Sequence, residues 1–236
     1  MNKGVLHLIP NVLAEGKTAV LPSDIVEVVS RIQIFGVEEI RSARRLLKAL
    51  NKQINIDVLQ FHFVNEHSAE GLIALKEALA RGEEIAYISE AGCPAIADPG
   101  QELVAIAHQF GAIVKPYVGP NSIVLALMAS GFNGQCFQFL GYLPNKQPAL
   151  STRIKEIEKE SRQKNCTQLF IETPYRNMQL LEELVKHGHP DTRLCIAADL
   201  TSEQETIISK SLQEWKKNTI SFHKRPAVFV LYAISN

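Results

Sequence analysis

The sequence predicts an α/β protein built as two α/β domains, and three observations carry that expectation. Short apolar runs alternate with amphipathic stretches of helical period along the whole chain, as in strands buried between helices. The 236 residues with 46% hydrophobic content are enough core for two domains of about 115 residues each. The alternation restarts after Gly119-Pro120, which divides the chain into an N-terminal domain over 1–117 and a C-terminal domain over 118–236.

The first apolar run, Val5 to Ile9, is closed by Pro10-Asn11. Ser23-Asp24 reads as a helix cap ahead of Ile25, Val28 and Val29 on one face, and 32–37 reads as the next strand. Residues 39–50 form a helix with Ile40, Ala43, Leu46, Leu47 and Leu50 inward and Arg41, Arg44, Arg45 and Lys48 outward. A helix over 68–81 ends at Gly82, where a left-handed cap is favoured, and feeds a strand over 85–88. The loop Ser89 to Gly100 follows directly, then a helix over 102–110 and a strand over 113–118.

The second half opens with an apolar helix from Asn121-Ser122 to Ser130, then Gly131 and a strand over 137–140. Residues 145–165 are the most polar stretch and read as a loop and an exposed helix. Strands are expected at 168–172, 194–198 and 228–233, with helices near 176–187 and 211–217.

Composition excludes several classes. The 25 basic residues balance 25 acidic ones, so no overall field draws the chain to a polyanion, and any such site is a local patch. Cys93, Cys136, Cys166 and Cys195 contain no C-x-x-C pair, which argues against a disulfide framework and a thiolate zinc site. No apolar run of about 18 residues occurs, and the first apolar run is too short and early for a signal peptide. The expectation is a cytoplasmic protein with no membrane span and no metal. His187-Gly188-His189 lacks further ligands nearby and reads as a helix exit. Neither a G-x-G-x-x-G nor a P-loop is present.

The loop 89–100 lies at the carboxyl end of an expected parallel strand, where open α/β sheets place ligands. Gly92 and Gly100 permit close backbone approach, Pro94 and Pro99 stiffen the turns, and Glu90 and Asp98 offer acceptors. Residue types alone leave this reading level with that of a long turn ending in an acidic helix cap.

The loop Ser89-Glu90-Ala91-Gly92-Cys93-Pro94-Ala95-Ile96-Ala97-Asp98-Pro99-Gly100 resembles the Ser-Asp-Ala-Gly-Thr-Pro-x-Ile-Ser-Asp-Pro-Gly segment of the tetrapyrrole-methylase-like superfamily of S-adenosylmethionine-dependent methyltransferases. Further segments, in order, are similar to the branch that methylates a cytidine ribose 2′-hydroxyl in small-subunit ribosomal RNA. They are Val37 to Leu47, Gly119-Pro120-Asn121-Ser122, Ala129-Ser130-Gly131, Phe139 to Pro144, Glu172-Thr173-Pro174-Tyr175-Arg176 and Asp199-Leu200-Thr201. Glu90 stands for Asp and Cys93 for Thr, and Pro10-Asn11-Val12-Leu13 departs from the family's first loop.

The resemblance implies a homodimer that binds S-adenosylmethionine between two α/β domains, mainly through loop backbone. The implied cofactor contacts are Pro10, Gly92, Cys93, Ile96, Ala97, Ser122, Glu172, Thr173, Ala197, Pro226 and Ala227. Methyl transfer from a sulfonium is an in-line displacement, dominated by alignment. A ribose nucleophile must also lose a proton, for which Glu38, Glu39 and Glu172 are the candidates, and Glu39 reads more readily as a helix start beside the dipole. Arg41 is grouped with Glu38 and Glu172 in the catalytic set. Arg41, Arg45, Lys48 and Lys52 share one helix face, which reads as a solvated face or as a phosphate-binding stripe. The function expected is methyl transfer to an RNA ribose hydroxyl, with small-subunit ribosomal RNA as the partner. Two alternatives stand beside it: methylation of a tetrapyrrole, and a catalytically silent S-adenosylmethionine-binding protein of the same fold.

Overall fold

A computed structural model describes residues 3–65, 70–217 and 219–233, and the chain divides into two compact units, residues 1–121 and 122–236. In the first unit the elements run β1 (Val5–Ile9), α1 (Asp24–Arg31), β2 (Ile34–Val37), α2 (Ile40–Leu50), β3 (Gln60–Phe63), α3 (Glu70–Ala80), β4 (Glu84–Ile88), α4 (Gly100–Gln109) and β5 (Ile113–Pro116). The five strands form a parallel sheet in the order β3-β2-β4-β1-β5.

Alternation along the strands divides the core between the two faces of this sheet. Ile9, Phe35, Val37, Ala86 and Ile88 pack with Ile25, Val28 and Val29 of α1 and Ala43, Leu46 and Leu47 of α2. Leu6, Leu8, Ile85 and Tyr87 pack on the opposite side with Leu72, Leu75 and Leu79 of α3 and Leu103 and Ala107 of α4. Because β1 and β4 are central, all five residues of β1 and the last four of β4 are buried. They read as near-continuous apolar runs for that reason, broken in β1 by His7.

The second unit runs α5 (Ser122–Ser130), β6 (Phe137–Tyr142), α6 (Ala149–Lys164), β7 (Thr167–Ile171), α7 (Asn177–His187), β8 (Arg193–Ala198), β9 (Thr206–Ser211), α8 (Leu212–Trp215) and β10 (Ala227–Tyr232). Its sheet is mixed, in the order β6-β7-β10-β8-β9, with β6 and β7 parallel and β10 antiparallel to both β7 and β8. Leu150, Ile154 and Ile157 of α6 join Leu180, Leu181 and Leu184 of α7 over Phe170, Ile196 and Phe229. Trp215 is buried and donates its indole N–H to Leu194 O at 2.9 Å. Helix α5 packs against β8, β9 and β10.

Several expectations change. Ser23 has helical backbone angles and makes no side-chain cap for α1. The strand at 32–37 begins at Ile34, and that at 113–118 ends at Pro116. Edge strands β3 and β9 were not expected; their residues are short of full burial, so the apolar signal is diluted. Helix α6 is not simply exposed: besides its apolar face it buries Glu158, which accepts the His189 amide at 2.8 Å, and Ser161, which accepts that of Ala233 at 2.9 Å. The expected start of α3, residues 68 and 69, lies outside the described residues. Gly82 has φ 82° and closes α3 with Gly82 N–H to Leu79 O and Glu83 N–H to Ala78 O.

Candidate functional site

Each unit gathers functional candidates at one end of its sheet. In the first unit that end is the carboxyl edge of the parallel strands, where β1 lies between β4 and β5. Pro10-Asn11 leaves β1 and the loop 89–99 leaves β4. Asn11 and Gly92 exchange backbone hydrogen bonds at 2.9 and 3.2 Å. The buried Asn11 side chain donates to Ser89 O and Glu90 O at 3.1 and 2.8 Å. Gly92 has φ 72°, and a Cβ there would sit 3.2 Å from Leu13 and 3.3 Å from Pro120 O.

The segment after β5 closes on the same loop. The Cys93 thiol donates to Gly119 O and Pro120 O at 3.5 and 3.4 Å, and burial pushes its pKa up, with a contact to Asn121 opposing. A Cβ on Gly119 would lie 2.2 Å from Pro10 Cβ, so only glycine fits there. Pro10, Gly92, Cys93 and the Gly119 to Asn121 turn therefore form one cluster.

The carboxylates of this cluster organise the loop. Glu38 follows β2 and accepts the Glu90 amide at 2.8 Å; burial raises its carboxyl above the usual range, and that amide and nearby acids modulate the shift. Asp98 accepts the Gly100 amide at 2.7 Å and the Tyr87 hydroxyl at 3.1 Å, and burial raises it as well. Glu39 does something different. Its side chain accepts the Arg41 and Ser42 amides at 3.0 and 2.5 Å, caps α2 and is held below the usual carboxylate range by them. Ala95 and Ala97 adopt φ of 64° and 60°, a region L-residues seldom occupy outside functional loops. Between them Ile96 is 49% exposed.

These features suit an adenosyl sulfonium ligand. Backbone groups and an uncovered aliphatic side chain can take its neutral portion, while Glu38, Glu90 and Asp98 favour its ammonium and sulfonium charges.

In the second unit the carboxyl ends of β7 and β8 and the amino end of β10 coincide, since β10 runs against both. Glu172 is buried, accepts the Thr173 amide at 2.7 Å and pairs with Arg176 at 3.3 Å. Ala197 and Ala227 lie at the ends of their strands, and Pro226 O accepts the Asp199 amide at 2.9 Å. Arg225 fixes this entry by pairing with Asp199 at 2.5 Å and donating to Gln204 O and Thr206 Oγ1 at 2.8 Å. Glu172, Thr173, Ala197, Pro226 and Ala227 are thereby brought together. Ser122 begins α5.

The basic face of α2 is partly committed to structure. Arg45 pairs with Glu15 at 3.0 Å, Arg44 lies over the Phe61 ring, and Lys48 donates to Ile54 O and Lys52 O at 2.6 and 3.2 Å. Arg41 is exposed on the first turn. Sequence reasoning missed the structural parts of Asn11, Tyr87 and Arg225. The polar Asn11 between the apolar β1 and Val12-Leu13 was the available signal for the first. A cavity lined by Arg31, Gln33, Gln60, Arg81, Glu83 and Glu84 opens at the amino end of the first sheet. Its arginines pair with its glutamates, so it competes poorly as a site. Among the described residues no His, Cys, Asp and Glu group could hold a metal, and no helix is long and apolar enough to cross a membrane.

Comparison with known proteins shows the family and the fold. The family described as Tetrapyrrole (Corrin/Porphyrin) Methylases matches residues 25–216. The chain is 31% identical to the ribosomal RNA small subunit methyltransferase I of Vibrio cholerae serotype O1, over 89% of this chain and 69% of that protein. Its identity to the protein of the same name from Escherichia coli O157:H7 is 30%, over 98% of this chain and 78% of that one. Among solved structures, diphthine synthase superposes with a TM-score of 0.70 at 15% identity, covering 98% of this chain and 90% of that chain. Uroporphyrin-III C-methyl transferase from Thermus thermophilus complexed with S-adenyl homocysteine superposes with a TM-score of 0.57 at 16% identity, covering 98% and 97%. The chain belongs to the tetrapyrrole (corrin/porphyrin) methylase family and is a methyltransferase.

Proposed function

We propose that this chain transfers the methyl group of S-adenosylmethionine to a ribose 2′-hydroxyl of small-subunit ribosomal RNA. The observation that carries this reading is the likeness, over nearly the whole chain, to proteins named ribosomal RNA small subunit methyltransferase I. The cofactor is S-adenosylmethionine, and the positions proposed to contact it are Pro10, Gly92, Cys93, Ile96, Ala97, Ser122, Glu172, Thr173, Ala197, Pro226 and Ala227. The enzyme is proposed to act as a cytoplasmic homodimer.

Bound S-adenosylmethionine supplies an electrophilic methyl group and a neutral thioether leaving group. The chain's task is to orient the acceptor, exclude water and remove one proton. Glu38 suits the last role, because a carboxyl raised by burial is a stronger base than an ordinary glutamate. Glu172 is engaged by Arg176 and the Thr173 amide, which suits it to positioning. Arg41, exposed three residues after Glu38, is proposed to meet a phosphate of the acceptor.

The test supplies the purified protein with S-adenosylmethionine and small ribosomal subunits from cells lacking it, then maps the methylated nucleotide by mass. A single new ribose methyl group is the expected result. Transfer to a uroporphyrinoid compound and not to the subunits would replace this reading by tetrapyrrole methylation. Tight cofactor binding with no transfer to either would replace it by a silent binding protein.

A further inference from the structure

We propose that Tyr175, together with His223 and Lys224, is a stacking platform for an unpaired base of single-stranded RNA. The proposal rests on the ribosomal RNA reading above and adds to it a recognition site outside the cofactor positions.

Tyr175 follows Glu172-Thr173-Pro174 in the turn between β7 and α7, and it is 69% exposed. The ring presents an apolar body with a polar tip at the surface. The ring is nonetheless held. The Lys224 ammonium lies 5.6 Å from its centroid, and the His223 ring meets it edge-on at 6.0 Å and 80°.

Two hydrogen-bonded anchors fix the segment that brings His223 and Lys224 to the ring. Lys224 donates its amide to Pro174 O at 2.8 Å, and the fully buried Asn177 donates to Phe222 O and Arg225 O at 3.2 and 2.7 Å. Lys224 adopts φ 62°, a left-handed conformation that the surrounding hydrogen bonds maintain.

The chemistry selects the partner. A nucleobase offers a flat π-face to an aromatic ring, and the Lys224 ammonium held over the ring attracts an adjoining phosphate. Arg176, the residue after Tyr175, donates to Asn145 O at 3.3 Å, and the next residue along that segment, Lys146, is exposed. Glu172, the carboxylate nearest in sequence, is already paired with Arg176. Bases within a duplex have both faces covered by their neighbours, so the platform takes unpaired RNA.

The experiment measures fluorescence anisotropy of a fluorescein-labelled octacytidylate RNA with the full chain and its variants. Tyr175→Ala is expected to weaken binding about tenfold and Tyr175→Phe to leave it within about twofold, as stacking needs the ring and not the hydroxyl. Lys224→Gln should weaken binding and flatten its salt dependence. Unlabelled single strand should compete, and a duplex of equal length should not. Equal affinity of Tyr175→Ala and the parent, no binding by the parent, or equal competition by duplex or by a uroporphyrinoid each overturns the platform. Circular dichroism confirms that the variants fold, which the exposure of both side chains favours. Methyl transfer to small subunits separates the two claims. If the parent transfers and Tyr175→Ala has an unchanged KM, the platform fails and the reaction stands; if the parent transfers nothing, the reaction fails and anisotropy still decides the platform.

Discussion

The Tyr87 hydroxyl donates to Asp98 Oδ1 at 3.1 Å, and the same oxygen accepts the Gly100 amide at 2.7 Å. A buried ring in the sheet thus reaches up to fix the end of the loop that carries Gly92, Cys93, Ile96 and Ala97. Tyr87→Phe keeps the ring and removes the tie. The expected loss of stability is about 1 kcal/mol, seen as a lowered melting temperature. Calorimetry should also show weaker S-adenosylmethionine binding; unchanged affinity would mean that the loop holds its shape without this bond.

Gly100 tests the same junction by steric means. A Cβ there would fall 2.1 Å from Cε1 of the fully buried Tyr87 ring. Gly100→Ala should destabilise by about 1–3 kcal/mol, lowering the urea midpoint without changing the slope of the transition. A stability equal to the parent's would show that the ring can move aside.

His7 gives a pH dependence. It is fully buried, with Nδ1 2.9 Å from the Tyr117 hydroxyl and Nε2 3.3 Å from Glu84, which also pairs with Arg31. Burial lowers its pKa below 6.5; Glu84 opposes this, while Arg31 and Lys115 reinforce it. The unfolded chain therefore takes up a proton before the folded one does. Stability should fall as pH drops through 6.5 and level off below the folded value. In urea denaturation His7→Asn should have a flatter profile than the parent over that interval; parallel profiles would assign the slope to other groups.

Glu38→Gln separates loop support from proton removal. The amide oxygen can still accept the Glu90 N–H, but the side chain no longer takes a proton. If Glu38 is the base, single-turnover transfer should fall by about 100-fold or more, with cofactor affinity close to the parent's. A loss of affinity with little change in rate would instead make Glu38 a support of the loop.

Much of this architecture can be read from the residues. Near-continuous apolar runs mark β1 and β4 because both are flanked on each side, and Gly82 marks the end of α3 because its left-handed φ excludes most other residues. Edge strands are harder to read. Thr206 to Ser211 is only half-buried throughout β9, so neither periodicity nor an apolar run distinguishes it. Ser23 shows the limit of a residue-type signal, since its backbone is already helical and its hydroxyl caps nothing. The basic stripe on α2 was visible as spacing, but sequence does not reveal that Lys48 is occupied by the carbonyls of Lys52 and Ile54. Cys93 was legible by resemblance; its hold on Gly119 and Pro120 spans 26 and 27 residues and depends on β4 and β5 both being in place.

The meeting of Asn11, Gly92, Cys93 and Pro120 also bears on how the first unit assembles. These residues leave three different strands, so no short stretch of chain contains the 89–100 loop in its folded shape. A fragment stopping at the end of β5 would keep every strand of the sheet and still lack the two carbonyls that the Cys93 thiol seeks. The loop takes its final form only once the strands beneath it are aligned, so the proposed cofactor, on binding there, would strengthen the whole unit and not only the turn it touches.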